Sequence, residues 1–348
     1  MLKSPKTAQI PDLEALKALL HTPCRIAVVA HHNPDADALG SSLALARYLE
    51  KTGHRVEVLM PSAFPDFLDW MPGAHQVVAY SEESQTYCRQ VFQAVDLVFC
   101  MDFSSYTRLQ FLEPLLKAAS ARRIIIDHHQ APDMEADFWL WNVGASSTAE
   151  LVFELLELLE AKPLLDVEMG ECIYAGIVTD TSSFKHPSTT KRVHIIAAEL
   201  IDLGVNTNRV QRYIYDNNSE NRLRFIGYAL HEKLKVLPQY RTAYFVITKE
   251  ELRKYQNKLG DTEGLVNYAL SIGGIVLAVI IIENEDCVKM SFRSVGNFAV
   301  NEFARKHFSG GGHKNAAGSD CMTDAFETEQ LLLSLLPQYE TELHHADA

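Results

Sequence analysis

The sequence predicts an α/β protein: a parallel sheet with helices on both faces, followed by a smaller C-terminal α/β domain. Short apolar runs alternate with helix-like stretches from residue 25 to about 185, as in parallel sheets with helical crossovers. A mixed-charge helical pattern follows, and further strand and helix patterns come after it. At 348 residues the chain also exceeds what one hydrophobic core usually supports, so two domains are expected.

Apolar runs predict the strands of the first domain at 25–30, 55–60, 95–101, 123–127 and 137–142. Its helices are predicted at 39–52, 106–119, 146–161, 166–178 and 190–203. One continuous helix over 206–236, ended by Pro238, is expected to join the domains. The chain would then divide into residues 1–205, a helical linker at 206–238 and a domain at 239–348.

The second domain shows the same kinds of pattern, with less regular spacing. Strands are expected near 242–247, 275–282 and 287–293, and helices near 249–257, 297–307 and 323–336. No fixed-period repeat or low-complexity segment is visible in the sequence.

Composition excludes several classes of protein. Lysine and arginine number 32 against 45 acidic residues, and a net charge of −13 argues against binding long nucleic acid. The six cysteines are scattered without a CxxC pair, which favours reduced thiols in the cytoplasm. The longest apolar run, 275–282, is too short to cross a bilayer. We therefore expect a cytoplasmic protein that does not bind membranes.

Carboxylates and imidazoles follow the predicted strands of the first domain. The carboxyl ends of parallel strands meet at one edge of a sheet, where ligands gather. A charged group at the end of a buried strand is costly unless it is paired or bound to a metal. The residues concerned are His31, Asp35, Asp37, Asp102, Asp127, His128, His129 and Asp180.

Each of these features also has a simpler interpretation. Asp35 and Asp37 could form an ordinary helix cap and turn, with Asp37 capping a helix that begins near Ala38. Asp102 could form an Asx turn, and Asp180 could cap a turn. The doubled histidines could be solvated or bonded to backbone carbonyls. Their joint occurrence favours a pair of divalent cations about 3.5–4 Å apart, which can activate water and neutralise a phosphoryl group.

A second group of candidate residues lies near the C-terminus. Three glycines precede His313, and backbone N–H groups of Gly311 and Gly312 could converge on an anion. A flexible turn is the alternative. Arg293 ends a predicted strand and could bind a phosphate through two N–H groups, or it could form a surface salt bridge.

The ordered motifs resemble the DHH phosphoesterase superfamily, named for the triplet found here at Asp127, His128 and His129. The chain is most similar to the bacterial branch with a DHH-associated C-terminal domain, the nanoRNase and pAp phosphatase group. The resemblance covers nearly the whole chain and implies the same activity and the same site residues.

The resemblance implies a ligand set for each of two metals. His31, Asp35 and Asp102 would hold one, and the second would share the bridging Asp102 with Asp37, His128 and Asp180. It implies catalytic roles for Asp102 and His129. Of these two, His129 would face the substrate phosphate. Asp127 would orient an imidazole. In the second domain, Gly311, Gly312 and His313 would contact the nucleotide, and Arg293 a terminal phosphate.

The expected activity is hydrolysis of very short RNA to mononucleotides, with a second activity on pAp that yields AMP. Manganese is the expected metal, as two Mn²⁺ ions with Mg²⁺ or Co²⁺ as substitutes, because imidazole and carboxylate ligands together suit it. A homodimer is also expected. Two alternatives stay open: a phosphodiesterase of cyclic or linear dinucleotides (cyclic di-AMP or pApA), and a nucleotide-binding regulator without catalysis.

Overall fold

The computed structural model describes residues 10, 12–130, 132–285, 287–321 and 324–346. The chain divides into two compact units, Met1–Asn217 and Asn218–Ala348. None of the helices in these described ranges has the length and apolarity that a bilayer crossing requires.

The first unit contains a six-stranded sheet in the order β3-β2-β1-β4-β5-β6. Every neighbouring pair of strands in it is parallel. The strands are β1 (Arg25–Ala30), β2 (Arg55–Met60), β3 (Val78–Ala79), β4 (Leu97–Met101), β5 (Arg122–Asp127) and β6 (Phe138–Trp141). This confirms the predicted parallel sheet.

Helices cover both faces of this sheet, as predicted. They are α1 (Leu13–Leu20), α2 (Ala36–Lys51), α3 (Gln85–Ala94), α4 (Glu113–Ala118), α5 (Thr148–Leu158), α6 (Val167–Asp180), α7 (Lys191–Asp202) and α8 (Thr207–Tyr215). Alternate residues of the central strands pack on opposite sides: Val28 and Phe99 belong to one core, and Ala27 and Val98 to the other. Burial on both faces explains why these strands are uninterrupted apolar runs.

The second unit is a mixed sheet with helices. In chain order its elements are α9 (Glu220–Tyr228), β7 (Lys235–Leu237), β8 (Thr242–Ile247), α10 (Lys249–Lys254), α11 (Leu265–Leu270), β9 (Leu277–Glu283), β10 (Val288–Ser294), α12 (Val300–Phe308), β11 (Gly311–His313), β12 (Ala316–Cys321), α13 (Ala325–Leu335) and α14 (Glu340–His344). The strand order is β11-β12-β10-β9-β8-β7. Only β8 and β9 pair in parallel; the other pairs are antiparallel.

The predicted continuous helix over 206–236 is wrong. Helix α8 ends at Tyr215, and α9 starts afresh after Ser219, whose side chain accepts a hydrogen bond from the Arg222 N–H. A serine cap of this kind satisfies a free N–H at a new helix start, so it competes with helix continuation. A π-helical turn at Ala229–Lys233 then leads into the unpredicted β7. The predicted helix at 106–119 is also broken, by a positive φ of 44° at Gln110.

Glycines allow α2 and α6 to approach closely. A Cβ atom on Gly40 of α2 would lie 2.4 Å from the backbone oxygen of Cys172 in α6. A Cβ atom on Gly176 would lie 2.5 Å from Oδ1 of Asp37 and 2.6 Å from the Cβ atom of Ala149. The absence of side chains at these two positions therefore lets α6 pack directly against the first turns of α2 and α5.

We expect Gly40→Ala to destabilise the protein by about 1–3 kcal/mol, because the new methyl group must push α6 away from α2. The matched control is Gly227→Ala in α9, where an added Cβ atom has no neighbour within 4 Å. That change should stabilise by up to about 1 kcal/mol through helix propensity. Thermal and urea unfolding of both variants measure the difference. Equal effects of the two substitutions would contradict this account of the α2–α6 contact.

Candidate metal centre

The candidate site lies at the carboxyl ends of β1, β4 and β5. Strands β1 and β4 are neighbours, and the sheet order runs outward from them in opposite directions, so they flank the switch point where such folds bind ligands. His31 directly follows β1, Asp102 directly follows β4, and Asp127 is the last residue of β5. Asp102 has a φ of 62°, a left-handed conformation that is uncommon outside glycine and is concentrated at functional sites.

Asp102 lies at the centre of the site. Its Oδ2 atom is 3.3 Å from Nε2 of His31, and its Oδ1 atom is 3.3 Å from Nε2 of His128. The residue is only 1% exposed. One buried carboxylate thus faces an imidazole on either side, which is the arrangement that a bridging ligand requires.

The six predicted metal ligands, Asp102 among them, fall into two clusters. In each cluster, potential ligand atoms lie within 4.8 Å of one another. One cluster comprises His31, Asp35 and Asp102, and the other comprises Asp37, His128 and Asp180. These are the residues that the family resemblance assigns to two metal positions; their role as ligands stays a prediction.

The local structure around Asp35 and Asp37 differs from the predicted one. Asp35, not Asp37, caps α2: its Oδ1 atom accepts hydrogen bonds of 3.0 Å from the N–H groups of Asp37 and Ala38. The oxygens of Asp37 instead accept hydrogen bonds from Thr148 N–H at 2.6 Å and Ala149 N–H at 2.8 Å. Asp37 lies inside the first turn of α2 and reaches the N-terminus of α5, which attracts negative charge.

The histidine orientations fit a bound cation. Nδ1 of His31 lies 2.8 Å from the His32 carbonyl, and Nδ1 of His128 lies 3.4 Å from the Ala145 carbonyl. Because a carbonyl only accepts, each Nδ1 carries hydrogen, and in a neutral ring Nε2 then presents a lone pair. Both Nε2 atoms face carboxylate oxygens, so these groups repel unless a proton or a cation lies between them. Such outer hydrogen bonds are typical of metal-binding histidines.

Comparison with protein families settles the classification. The model of the DHH family, N-terminal domain, matches residues 25–177, and the DHHA1 domain model matches residues 242–329. The chain belongs to the DHH family. It is a phosphoesterase, as the motifs predict, and the matched range 25–177 contains every residue of the two clusters except Asp180.

Relatives match across most of the chain. The bifunctional oligoribonuclease and PAP phosphatase NrnA of Bacillus subtilis (strain 168) is 29% identical over 290 residues, covering 83% of this chain and 87% of that protein. The crystal structure of an exopolyphosphatase-related protein from Bacteroides fragilis has a TM-score of 0.90 and 34% identity, covering 96% of this chain and 97% of that one. The cyclic-di-AMP phosphodiesterase GdpP of Geobacillus thermodenitrificans is 25% identical over 342 residues, 93% of this chain but 49% of that protein.

Burial and neighbouring charges shift the pKa values of Asp102, Asp37 and His128 in the two clusters. Burial opposes ionisation of Asp102, but hydrogen bonds from His128 and His31 hold its pKa well below the ordinary value. Burial, together with the charges of Asp102 and Asp180, raises the pKa of Asp37 well above its ordinary value. Burial favours neutral His128, but Asp102, Asp180 and Asp37 outweigh it and raise the pKa of His128. Both shifts favour the protonated forms of Asp37 and His128 when no cation is bound.

His129 and Asp127 form a separate pair beside these clusters. Oδ1 of Asp127 accepts hydrogen bonds from Nδ1 of His129 at 2.8 Å and from its backbone N–H at 3.2 Å. Burial opposes ionisation of Asp127, yet the hydrogen bond from His129 lowers its pKa. The side chain of His129 is 23% exposed, compared with 3% for His128. An oriented, partly accessible imidazole is suited to proton transfer.

In the DHHA1 domain, the predicted nucleotide-contacting residues lie on paired strands. Arg293 on β10 and His313 on β11 both pair with Ala316 of β12, so their side chains belong to one face of the sheet. The predicted alternative of a flexible glycine turn is wrong, because Gly311–His313 is itself a strand. A Cβ atom on Gly312 would lie 2.5 Å from the Ala316 backbone oxygen, so glycine permits this close pairing. Nη1 of Arg293 donates to the Phe292 carbonyl at 2.9 Å.

The residues that hold the carboxylates in place were not predicted from the sequence. They include Thr148 and Ala149 at the start of α5, and Gly176, which leaves room for Asp37. A signal was present in Ser147 and Glu150, whose spacing marks a helix N-terminus. The sequence pattern indicates that a helix begins there. It does not show that the N–H groups of this helix bind the Asp37 carboxylate, because that contact depends on the fold.

We expect metal binding to release protons, because coordination requires the unprotonated forms of Asp37 and His128. The affinity for Mn²⁺ should therefore fall as the pH falls below the raised pKa of His128. Calorimetric titration of the metal-free protein in buffers with different ionisation enthalpies counts the protons released. His307→Gln, a change on α12, is the control and should leave that number unchanged. Zero proton release, or uptake, would contradict the proposed ligands.

Proposed function

We propose that this chain is a manganese-dependent phosphodiesterase that hydrolyses very short RNA to mononucleotides and also converts pAp to AMP. The main support is the position of Asp102, whose two oxygens face the imidazoles of two separate clusters. The similarity to NrnA over most of both chains supports the substrate class. The homodimer and the cytoplasmic location stay predictions from the sequence.

Six residues of the site would bind the metals, and His129 would transfer a proton. His31, Asp35 and Asp102 would hold one cation, and the other would be held by Asp37, Asp102, His128 and Asp180. Two bound divalent cations would lower the pKa of water and neutralise charge on the phosphoryl group. Nitrogen and oxygen ligands together suit Mn²⁺, with Mg²⁺ or Co²⁺ as substitutes, because Mg²⁺ prefers oxygen.

His129 would assist departure of the leaving oxygen. Because Asp127 accepts from Nδ1, the other ring nitrogen of a protonated His129 can donate a proton to that oxygen. The hydrogen bond to Asp127 also holds the imidazole ring of His129 in one orientation. His129 thus would stabilise the charge that develops as the P–O bond breaks.

The DHHA1 domain would bind the substrate. The fork-shaped guanidinium of Arg293 suits a terminal phosphate, since it can donate two parallel hydrogen bonds. His313 lies on the same sheet face, and Gly311 has open space around its missing side chain, so the backbone there can approach a nucleotide. A net charge of −13 gives little attraction for long RNA, which favours short substrates.

We expect Asp102→Asn to lower kcat/KM at least about 100-fold, more than the loss of an outer partner of a ligand usually costs. The amide removes the charge shared by the two clusters while keeping the side-chain size. Asp96→Asn is the control: Asp96 lies before β4, and its Oδ2 atom accepts a hydrogen bond from the Arg25 N–H at the opposite end of the strands. Hydrolysis of a labelled RNA dimer measures both variants. Undiminished turnover by Asp102→Asn would contradict the assignment of Asp102 to the catalytic site, whereas a wild-type protein that binds nucleotide without hydrolysing it would favour the regulator.

Substrate preference is tested with a labelled RNA dimer, a 24-mer, pAp and cyclic di-AMP, each with Mn²⁺. We expect kcat/KM for the dimer to exceed that for the 24-mer at least about tenfold, the effect of one contact worth about 1.4 kcal/mol. Hydrolysis of pAp should also be detectable. A 24-mer degraded as fast as the dimer would refute the short-RNA proposal. The highest kcat/KM on cyclic di-AMP would favour the activity that the name of GdpP describes.

A further inference from the structure

The N-terminus of α5 and the residues just before it contact three of the proposed metal ligands. The carbonyl of Ala145, just before the helix, lies 3.4 Å from Nδ1 of His128. The N–H groups of Thr148 and Ala149 donate to the two oxygens of Asp37. A short segment that supplies no ligand itself thus fixes ligands from two other elements.

Within the first turn of α5, Thr148 contacts a carboxylate of each cluster. Its hydroxyl donates to Oδ1 of Asp102 at 2.8 Å, while its N–H donates to Oδ2 of Asp37 at 2.6 Å. Thr148 has no exposed surface. The turn is itself fixed, because the Ser147 hydroxyl accepts from the Glu150 N–H at 3.0 Å.

We propose that Thr148 is a positioning residue that couples the two metal positions by fixing Asp102 relative to Asp37. The terminal torsion of an aspartate has a broad energy profile, so an unrestrained carboxylate can rotate. The hydroxyl of Thr148 occupies one lone-pair direction of Oδ1 and thereby determines which direction remains for a ligand. If Asp102 holds one cation through each oxygen, its rotation would affect both positions. This inference rests on the metal centre of the proposed function and is independent of the substrate class.

A purely structural role for Thr148 is the competing explanation. Removing a buried hydroxyl leaves an unsatisfied acceptor, which destabilises a protein wherever it occurs. The two roles differ in metal binding: a positioning role requires that loss of the hydroxyl weakens binding in protein that is still folded. Measurements on the metal-free protein therefore separate them without relying on activity.

The test compares Thr148→Val, which keeps the shape and the backbone N–H, with Thr148→Ser, which keeps the hydroxyl. Calorimetric titration with Mn²⁺ gives affinity and stoichiometry, and electron paramagnetic resonance reports whether two Mn²⁺ ions interact. We expect Thr148→Val to weaken Mn²⁺ binding about 10–100-fold, as the loss of an outer hydrogen bond to a ligand does. The resonance signal of an interacting Mn²⁺ pair should weaken with it, whereas Thr148→Ser should keep both readouts close to those of the wild type.

Thr328→Val is the matched control. Thr328 in α13 is also buried, and its hydroxyl donates to the Asp324 carbonyl at 2.8 Å. This control should lower stability but leave Mn²⁺ affinity and the resonance signal unchanged. If Thr148→Val does not fold, by circular dichroism of the metal-free protein, Thr148→Ala replaces it and is compared with Thr148→Ser.

Unchanged Mn²⁺ affinity in the folded variant without the hydroxyl would overturn the proposal. Equal loss in Thr148→Ser would also overturn it, because the methyl group would then be what matters. Failure of the proposed function appears differently, as a wild-type protein that binds two Mn²⁺ ions but hydrolyses none of the four substrates. In that outcome calorimetry would still show whether Thr148 affects Mn²⁺ binding, so the two failures can be distinguished.

Discussion

The central constraint on this protein is the burial of negative charge. Asp37 and Asp127 have no exposed surface, and Asp102 has almost none. A carboxylate in such a position is strongly disfavoured unless hydrogen bonds and opposite charges compensate it. Compensation comes from the imidazoles of His128 and His129, from N–H groups at the start of α5, and from any cation bound among them. The fold brings these hydrogen-bond donors together at one edge of the sheet.

The strands and the proposed ligands were accessible to sequence reasoning for one physical reason. In a parallel sheet buried on both faces, each strand is an apolar run, and the first polar residue after it marks the edge where ligands gather. His31 and Asp102 occupy such positions, and Asp127 ends its own strand. Their meeting follows from topology alone, once the strands are recognised.

The remaining features depend on contacts between residues far apart in the sequence. The interaction of Asp37 with the α5 N-terminus joins positions more than a hundred residues apart, and a local capping pattern fits Asp35 and Asp37 equally well. The break before α9 is the exception, because it has a local signal: the polar run at 216–219 consists of residue types that favour turns and helix caps, and only the helical patterns on either side suggest one continuous helix. Strand β11 contains glycines, which usually indicate a turn, and it forms because β12 supplies partners.

The close packing of α6 on α2 also sets an order of events during synthesis. Asp180 ends α6 and is the last carboxylate of the two clusters to leave the ribosome, long after His31 and Asp35. Until α6 has emerged and docked beside Gly40, the nascent chain exposes acidic side chains without their full set of neighbours. With the ligands proposed above, capture of a metal would follow the emergence of α6, because the full set of carboxylates is present only then.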